Sequence, residues 1–162
     1  MLSMKSAAMN NSLTLRPALE SDLPAVLRLY AQPDIDDGDV LALPDATCIW
    51  ERMASYPNYT LYVALVEKRV AGTFALLIMD NLGHLGAPSA VVEDVAVDPA
   101  AHGQGIGKAM MRHAMALAAE CGCYKLALSS NLKRDKAHAF YDSLDFERHG
   151  FSFRMVLPSA SP

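Results

Sequence analysis

The chain has 162 residues, 52% of them hydrophobic and 20% charged, which is the composition of one globular domain and not of a disordered or fibrous protein. Its formal net charge of −4 argues against nucleic acid or an anionic membrane as a partner. No apolar run approaches the roughly 20 residues of a membrane helix, and Met1–Asn11 hold no signal-peptide block. We therefore expect a cytoplasmic protein, with residues 1–11 a disordered or loosely attached terminus and residues 12–158 a single domain.

The first half of the chain predicts strands and helices in turn. The apolar spacing of Leu23, Val26, Leu27 and Tyr30 is that of one helix face, and two alternating runs flank a tight charged turn. In chain order the patterns predict a strand at Leu13–Pro17, a helix capped by Ser21 and ended by Pro33, an aspartate-rich loop at Gln32–Asp45, a helix through Trp50 up to Pro57, and a hairpin of Tyr59–Leu65 with Val70–Met79.

The second half predicts further elements around a glycine cluster. They are a strand at Ser89–Val97, a long helix that follows Gly103–Gly107 and ends near Gly122, a strand at Tyr124–Ser129, a helix at Lys136–Leu144, and a final hairpin within Phe146–Leu157. Strands and helices mixed in this order predict an α/β (mixed α+β) fold, in which helices cover a mixed sheet.

The cysteines and histidines predict no metal site. Cys48, Cys121 and Cys123 cannot all pair, and the CxC motif lacks a second pair of ligands at zinc spacing. We expect three reduced, mostly buried thiols. His138 and His149 have no partner at a ligand spacing, so surface or packing roles are expected for both.

The glycine-rich segment His102–Lys108 follows a strand and opens a helix, where unpaired backbone N–H groups can bind phosphate. A Walker A loop would need glycine at His102 and Ser or Thr at Ala109. A dinucleotide fingerprint would need glycine at Lys108 or at Met110. Both of these nucleotide sites are excluded by spacing.

The pattern that fits is Arg or Gln, two residues, Gly, one residue, and Gly or Ala, after a strand that ends Val-x-Val-x-Pro. With Val91–Pro99, Gly103–Lys108, Gly122–Lys125 and Ala137–Phe146 in this order, the chain resembles the GNAT superfamily of acyl-CoA-dependent N-acyltransferases from Leu13 to about Met155. It departs from the family at His102, where Arg or Gln is commoner, at Arg134, where many members have Asn, and at Asp145, where Gly is usual and φ is often positive.

The resemblance implies a GNAT-type three-layer fold. Its mixed, mostly antiparallel sheet would have six to seven strands, flanked by about four helices and splayed between the fourth and fifth strands. Acetyl-CoA would be the cosubstrate, and no metal would be required. The implied coenzyme-binding residues are Val95, Ala96 and Val97 for the pantetheine arm, His102, Gly103, Gln104, Gly105, Ile106, Gly107 and Lys108 for the pyrophosphate, and Ser130, Asn131 and Arg134 at its border.

The resemblance also implies two catalytic residues. An amine attacks only when it is neutral, so a base must take its proton, and Glu93 is the candidate. Asp94 would point to the opposite face of the strand unless a bulge intervenes. Tyr141 matches the family's general acid for the departing thiolate. The alternatives are a carboxylate that only hydrogen-bonds nearby backbone and a tyrosine that only packs in the core.

The expected reaction is direct transfer of the acetyl group to a primary amine of a small molecule in a ternary complex. Five aspartates in Gln32–Asp45 could attract a cationic amine. Resemblances to aminoalkylphosphonate and glucosamine-phosphate acetyltransferases point instead to a phosphate or phosphonate, held by Arg148 or Arg154. A peptide or protein N-acetyltransferase and a non-catalytic acetyl-CoA sensor stay open, and a homodimer is expected by family habit.

Overall fold

The computed structural model describes residues 12–33 and 35–157. The chain divides into two compact units with the boundary between Leu128 and Ser129. The expected loose terminus at residues 1–11 lies outside the described residues, as does residue 158. The assignment of residues 12–158 to one domain therefore stays a prediction, and each unit is described by itself.

The first unit is built on one five-stranded sheet, in which the strands lie in chain order. Neighbouring strands are antiparallel through the fourth, and the fifth is parallel to the fourth. This confirms a mixed, mostly antiparallel sheet. The strands are β1 (Leu13–Pro17), β2 (Tyr59–Val66), β3 (Arg69–Met79), β4 (Ser89–Val97) and β5 (Leu126–Ala127).

Four α-helices accompany these strands, as the sequence predicts. The first unit holds α1 (Leu23–Tyr30), α2 (Leu43–Ala54) and α3 (Ile106–Glu120), and the second unit holds α4 (Asp135–Asp142). The prediction that Ser21 caps α1 is wrong. Asp22 fixes this start instead, because its carboxylate accepts a hydrogen bond from the Leu19 amide at 2.7 Å and pairs with Arg16 at 2.6 and 3.0 Å.

Helices cover the two faces of the sheet, which gives the first unit three layers. Leu61, Val63 and Ala75 form one face and pack with Leu23 and Val26 of α1 in a buried cluster. On the opposite face, Phe74 of β3 is fully buried, as are Met110 and Met111 of α3. The alternation of side chains along β2 and β3 thus separates an α1/α2 side from an α3 side.

Gly72 of β3 allows α3 to approach the sheet closely. A Cβ atom at this position would lie 2.6 Å from the sulfur of Met110 and 3.3 Å from Cγ2 of Ile106. A side chain at this position would force the buried Met110 side chain to move, and glycine avoids this. Since Ile106 is the first residue of α3, Gly72 also positions the start of that helix.

The expected six to seven strands are not found, because Phe146–Leu157 forms no hairpin and the described residues hold five strands. Phe151, Phe153 and Met155 alternate as in a strand but are 90%, 91% and 82% exposed. Alternation predicts a strand only where a neighbouring strand supplies hydrogen bonds, and no ladder is formed by this segment. The fifth strand is likewise shorter than the predicted Tyr124–Ser129.

The cysteine environments also differ from expectation. All three thiols are free, but Cys48 and Cys121 are exposed and Cys123 is half-buried. The prediction of mostly buried thiols is therefore wrong. Cys48 lies on a helix with a broad exposed face, and Cys121 follows the last turn of α3, so neither faces the core.

Candidate active site

The loop between β4 and α3 is held by its own hydrogen bonds. The Asp98 carboxylate accepts from the Ala100 amide at 2.9 Å, and the amides of Ala101 and His102 bond back to Asp98 and Pro99 at 2.8 and 3.3 Å. A proline-led helical turn, Pro99–Ala101, results. This turn connects the end of β4 to the glycines.

The glycines then expose the start of α3. Gly103 and Gly105 have φ values of 77° and 79°, a conformation that favours glycine, and Gly105 is the N-cap. The first intrahelical bond runs from the Ala109 amide to the Gly105 carbonyl at 3.0 Å. In the described part of the chain, the amides of residues 105–108 therefore have no acceptor. Together with the helix dipole, these amides form a site that can bind an anion.

His102 is engaged within the loop. Its Nε2 lies 3.2 Å from the carbonyl oxygen of Val97, to which it donates a hydrogen bond. The Gln104 side chain donates to the Ala100 carbonyl at 3.4 Å. The two polar side chains that precede the helix thus brace the loop, and backbone amides remain as the free donors.

The outer edge of β4 is unpaired over most of its length. Pairing with β5 is limited to Ala90 with Leu126 and Val91 with Ala127. The Asp98 amide bonds to the Ala71 carbonyl at 2.8 Å, so the backbone groups of the preceding residue, Val97, point away from β3. Among the described residues, the part of this edge beyond Val91 has no partner strand, although the Val97 carbonyl already accepts from His102 Nε2.

A β-bulge interrupts β4 at the two acidic residues. Glu93 pairs with Ala75 and Ala96 pairs with Thr73, so Asp94 and Val95 together lie opposite one residue of β3. Asp94 has a φ of 52°, which is uncommon for a residue other than glycine. The extra residue has no ladder partner, and the strand bends there. The structure therefore contains the bulge that the sequence analysis named as a possibility.

Both carboxylates influence the α1/α2 side of the sheet. Glu93 shares the face of Ala75, which belongs to the cluster with α1. The charge of Asp94 adds to burial in raising the pKa of Tyr30, the last residue of α1, and both acids add to burial in raising that of Tyr59. The bulge breaks the alternation between Glu93 and Asp94, which is the exception that the sequence analysis allowed.

The acids also affect one another. Partial desolvation raises the pKa of Glu93, and the charge of Asp94 raises it further. Partial desolvation likewise raises the pKa of Asp94, with a further contribution from Asp36. Asp36 is held near by a 3.0 Å hydrogen bond from its amide to the Tyr30 carbonyl. Asp36 therefore lies beside the end of α1, and its charge and that of Asp94 both contribute to the raised pKa of Tyr30.

The second unit contains the other predicted coenzyme residues. Ser130 Oγ is buried with no hydrogen-bond partner among the described residues. Asn131 shapes the turn before α4, since its carbonyl accepts from the Arg134 amide at 3.0 Å and from His138 Nε2 at 2.9 Å. Arg134 is the N-cap residue of α4.

Tyr141 lies near the end of α4. Its ring contacts Phe140 and Phe146 edge to face, with centroids 5.1 and 5.6 Å apart. Burial raises the pKa of its hydroxyl, although the positive charge of Arg134 lowers it in part. The phenol is therefore protonated at neutral pH. The following turn places Asp145 at a φ of 63°, which is the conformation expected at this position.

Sequence reasoning missed three members of this arrangement, namely Tyr30, Tyr59 and Asp36. Tyr30 reads as one more residue of an apolar helix stripe, and Tyr59 as the first residue of a strand. The pairing of β2, β3 and β4 brings Tyr59 towards Glu93 and Asp94, and the packing of α1 on β3 and β4 brings Tyr30 and Asp36. The nearest sequence signal is the run of aspartates after α1, which does not identify the member that reaches the strand.

The described residues contain no group of three or more His, Cys, Asp or Glu side chains that could hold a metal ion. Across residues 12–33 and 35–157 no helix is long and apolar enough to cross a membrane.

Comparison with known proteins identifies the family. The chain is 34% identical over 89 residues to a glucosamine 6-phosphate N-acetyltransferase of Trypanosoma brucei brucei, which covers 55% of this chain and 58% of the relative. It is 31% identical over 101 residues to an aminoalkylphosphonate N-acetyltransferase of Salmonella typhimurium, covering 62% and 65%. The chain thus spans about three fifths of the length of these curated relatives.

A solved structure from Agrobacterium tumefaciens strain C58, described as a candidate acetyltransferase, has 31% identity and a TM-score of 0.83 and covers 89% of this chain and 99% of its own. The model of the GNAT acetyltransferase family matches residues 23–146, which include the glycine loop, the acidic bulge and Tyr141. The chain belongs to the GNAT acetyltransferase family.

Proposed function

We propose that this protein is an N-acetyltransferase that moves the acetyl group of acetyl-CoA to a primary amine of a small molecule. The observation that carries the proposal is the set of backbone amides at residues 105–108 that have no acceptor in the described chain. They suit the pyrophosphate of coenzyme A, and the unpaired edge of β4 suits its pantetheine arm. Acetyl-CoA supplies an activated acyl group as a thioester.

Glu93 is proposed as the base. An alkylammonium has a pKa near about 10.4 and no lone pair, so it must lose a proton before it attacks. Glu93 lies at a bulge, where an unpaired backbone N–H is also available for the developing oxyanion. Its raised pKa makes it a stronger proton acceptor than an ordinary carboxylate.

Tyr141 is proposed as the acid. The amine nitrogen bonds to the acetyl carbon, the carbon–sulfur bond breaks, and its electron pair leaves with sulfur. Glu93 takes the proton from nitrogen, directly or through water, and Tyr141 gives a proton to the thiolate, so charge balances. The raised pKa of Tyr141 supports this role because the hydroxyl holds its proton until the thiolate forms.

Two other functions make different predictions. A peptide or protein N-acetyltransferase would release thiol with peptides and not with small amines. A non-catalytic sensor would bind acetyl-CoA and release no thiol with any acceptor. The small-molecule reaction is favoured because the relatives are named for glucosamine 6-phosphate and aminoalkylphosphonate. A homodimer and a cytoplasmic location remain predictions.

Calorimetric titration with acetyl-CoA, followed by thiol release against amines, amino sugars, aminophosphonates and peptides, tests the proposal. Micromolar binding with thiol release that requires a small amine is the expected result. Peptide-dependent release alone would select the second function, binding without release the third, and absence of binding would contradict the coenzyme site.

A further inference from the structure

We propose that Cys121 and Cys123 form a redox-sensitive dithiol, which closes to an intrachain disulfide when it meets a low-molecular-weight disulfide. The inference goes beyond the proposed function, because it concerns a modification site at the opposite end of α3 from the glycine loop. At 1.5 Å per residue, the 15 residues of α3 place the pair about 20 Å from that loop.

The first observation is the way α3 ends. The Gly122 amide donates a hydrogen bond to the Ala119 carbonyl at 2.9 Å. The Cys123 amide donates to the Ala118 carbonyl at the same distance. With Gly122 at a φ of 73°, these bonds form a Schellman motif, in which the residue after the C-cap is left-handed. Cys121 is the C-cap residue, so the backbone fixes how the two cysteines lie relative to each other.

The second observation is that this helix ending brings the two side chains to one place. A left-handed residue leaves the Cα atoms on either side of it roughly 5.5 Å apart, within the range of about 4.4–6.8 Å that disulfides span. Cys121 follows Ala118 by three residues, so the two share one side of the helix. In a Schellman motif the residue in the position of Cys123 commonly packs toward the one in the position of Ala118. Both thiols are therefore directed to the same side of α3.

The third observation is that the two thiols affect one another. Burial raises the pKa of the Cys123 thiol, and the charges of Cys121 and Asp80 raise it further. A thiolate at Cys121 therefore lies close enough to act on Cys123, which agrees with the placement that the helix ending gives. The proximity thus rests on backbone geometry and is supported by the electrostatics.

The fourth observation is access. Both thiols are free, Cys121 is exposed and Cys123 is half-buried. A Cβ atom on Gly122 would have no neighbouring heavy atom within 4 Å, so the turn is open to an incoming molecule. Glycine also permits the small backbone adjustment that ring closure requires. Cys48 is exposed as well, but it is the one cysteine of α2 and has no second thiol along its helix.

The reaction consists of two thiol–disulfide exchanges. Cys121 reacts first because it is the more exposed thiol: its thiolate attacks one sulfur of the small disulfide, a sulfur–sulfur bond forms, and one small thiolate leaves. The Cys123 thiolate then attacks the Cys121 sulfur and displaces the second small thiolate. The protein loses two protons and two electrons, and the small disulfide gains them as two thiols.

The size of the ring makes the modification reversible. The disulfide closes a loop of three residues, residues 121–123, so it removes little entropy from the unfolded chain and stabilises the fold little. Exposed or strained disulfides are also the ones that are reduced readily. The pair therefore suits a switchable modification and not a permanent structural bond.

Oxidised glutathione is the probe, added to the reduced full chain and followed by mass spectrometry of tryptic peptides without reduction. Trypsin cuts after Arg112 and Lys125, so the peptide of residues 113–125 carries both cysteines and Cys48 lies in another. We expect this peptide to lose two hydrogen atoms and to regain them in excess reduced glutathione. Its glutathione adduct should stay below about a tenth of the disulfide form, because a neighbouring thiol reacts at a high effective concentration.

Cys48 is the internal control for the reagent, because an isolated thiol can only keep its glutathione adduct. A peptide of residues 113–125 that stays reduced while Cys48 is modified would overturn the proposal. Stable adducts on both Cys121 and Cys123, or a disulfide from either of them to a second chain, would overturn it too.

Variants identify the resolving thiol. Cys123→Ser leaves the first exchange possible and removes the second, so the glutathione adduct at Cys121 should rise at least about tenfold over the wild type. Cys48→Ser is the matched control, since it also removes an exposed thiol and should leave the disulfide at residues 121–123 unchanged. Thermal melts show that each variant is folded. An equal adduct level at Cys121 in Cys123→Ser and in the wild type would contradict the dithiol.

Discussion

The two ends of β4 differ in what they offer a ligand. Beyond Val97 the chain presents backbone N–H groups and the positive end of a helix, made by glycines and independent of side chains. At Glu93 and Asp94 it presents negative side chains, placed by a bulge and joined by Asp36 from a distant loop. The difference teaches that one strand can present opposite charges at its two ends, because these charges are supplied by different parts of the chain.

Gly105→Glu should have the largest effect, and it acts at the end of β4 that presents backbone N–H groups. It places a carboxylate and a side chain where the amides are free, and it forces a residue with Cβ into a φ of 79°. We expect calorimetric affinity for acetyl-CoA to fall by about a thousandfold, near 4 kcal/mol. Gly86→Glu is the matched control, since Gly86 has a φ of 80°, open surroundings and a place in the β3–β4 connection. Equal loss in both variants would show that strain, and not the site, is responsible.

Glu93→Gln tests the part of β4 that presents acidic side chains at the bulge. Loss of the base should lower kcat by about a hundredfold at neutral pH, while affinity for acetyl-CoA changes little. Desolvation and Asp94 raise the pKa of Glu93, so kcat/KM of the wild type should climb with pH through a range above that of an ordinary carboxylate. Asp94, Asp36 and Tyr59 are the other titratable groups that act here. A variant with the wild-type pH profile would remove Glu93 from the reaction.

Tyr141→Phe tests the acid and should act on turnover alone. The thiolate is already a good leaving group, so we expect a fall in kcat of about ten- to a hundredfold, at or below the low end of general acid catalysis. The packing of the ring on Phe140 and Phe146 is kept, so the melting temperature should hold. Tyr124→Phe removes an exposed hydroxyl from the other unit and serves as control. Equal turnover in Tyr141→Phe and the wild type would contradict this role.

Gly72→Ala tests how the glycine loop is supported. The added Cβ would lie 2.6 Å from the Met110 sulfur and 3.3 Å from Cγ2 of Ile106, so the buried Met110 side chain must move, and α3 with it where the core leaves that side chain no room. We expect a loss of about 1–3 kcal/mol in unfolding free energy and a weaker affinity for acetyl-CoA. Chemical denaturation and calorimetry measure both. A variant as stable as the wild type would show that α3 is not fixed by this contact.

Asp94→Asn should have the smallest effect, and it should raise stability, whereas the other substitutions lower stability, affinity or activity. The pKa of Asp94 is raised in the fold, so the wild type loses stability as pH rises from the unfolded value, about 4, through the folded one. Asparagine has no charge and tolerates a positive φ. We expect a melting temperature a few degrees above the wild type at pH 7 and little difference below about pH 4. A lower melting temperature at pH 7 would contradict the repulsion among the acids.

The sequence predicts the elements that have local signals. Leu13–Pro17 and Ser89–Val97 are found with the predicted bounds. Alternation that ends in a proline defines the first, and a β-prone run that stops before Asp98 and Pro99 defines the second. The glycine loop is also predicted from the sequence, because the free donors in it are backbone amides and the glycine spacing alone indicates them. The hairpin at Phe146–Leu157 is wrong because alternation does not specify a partner strand. Neither the bulge at Asp94 nor the approach of Asp36 has a local signal, since both depend on strand register.

The central claim is that an anionic coenzyme and an amine react on β4. Mass spectrometry after incubation with isotope-labelled acetyl-CoA and the small primary amine that gives the fastest thiol release tests it most directly. The account predicts a labelled N-acetyl amine in equal amount to the thiol released, with no product from Glu93→Gln above about one hundredth of that rate. Thiol release without labelled amine, or bound acetyl-CoA that stays intact with every amine, would contradict it.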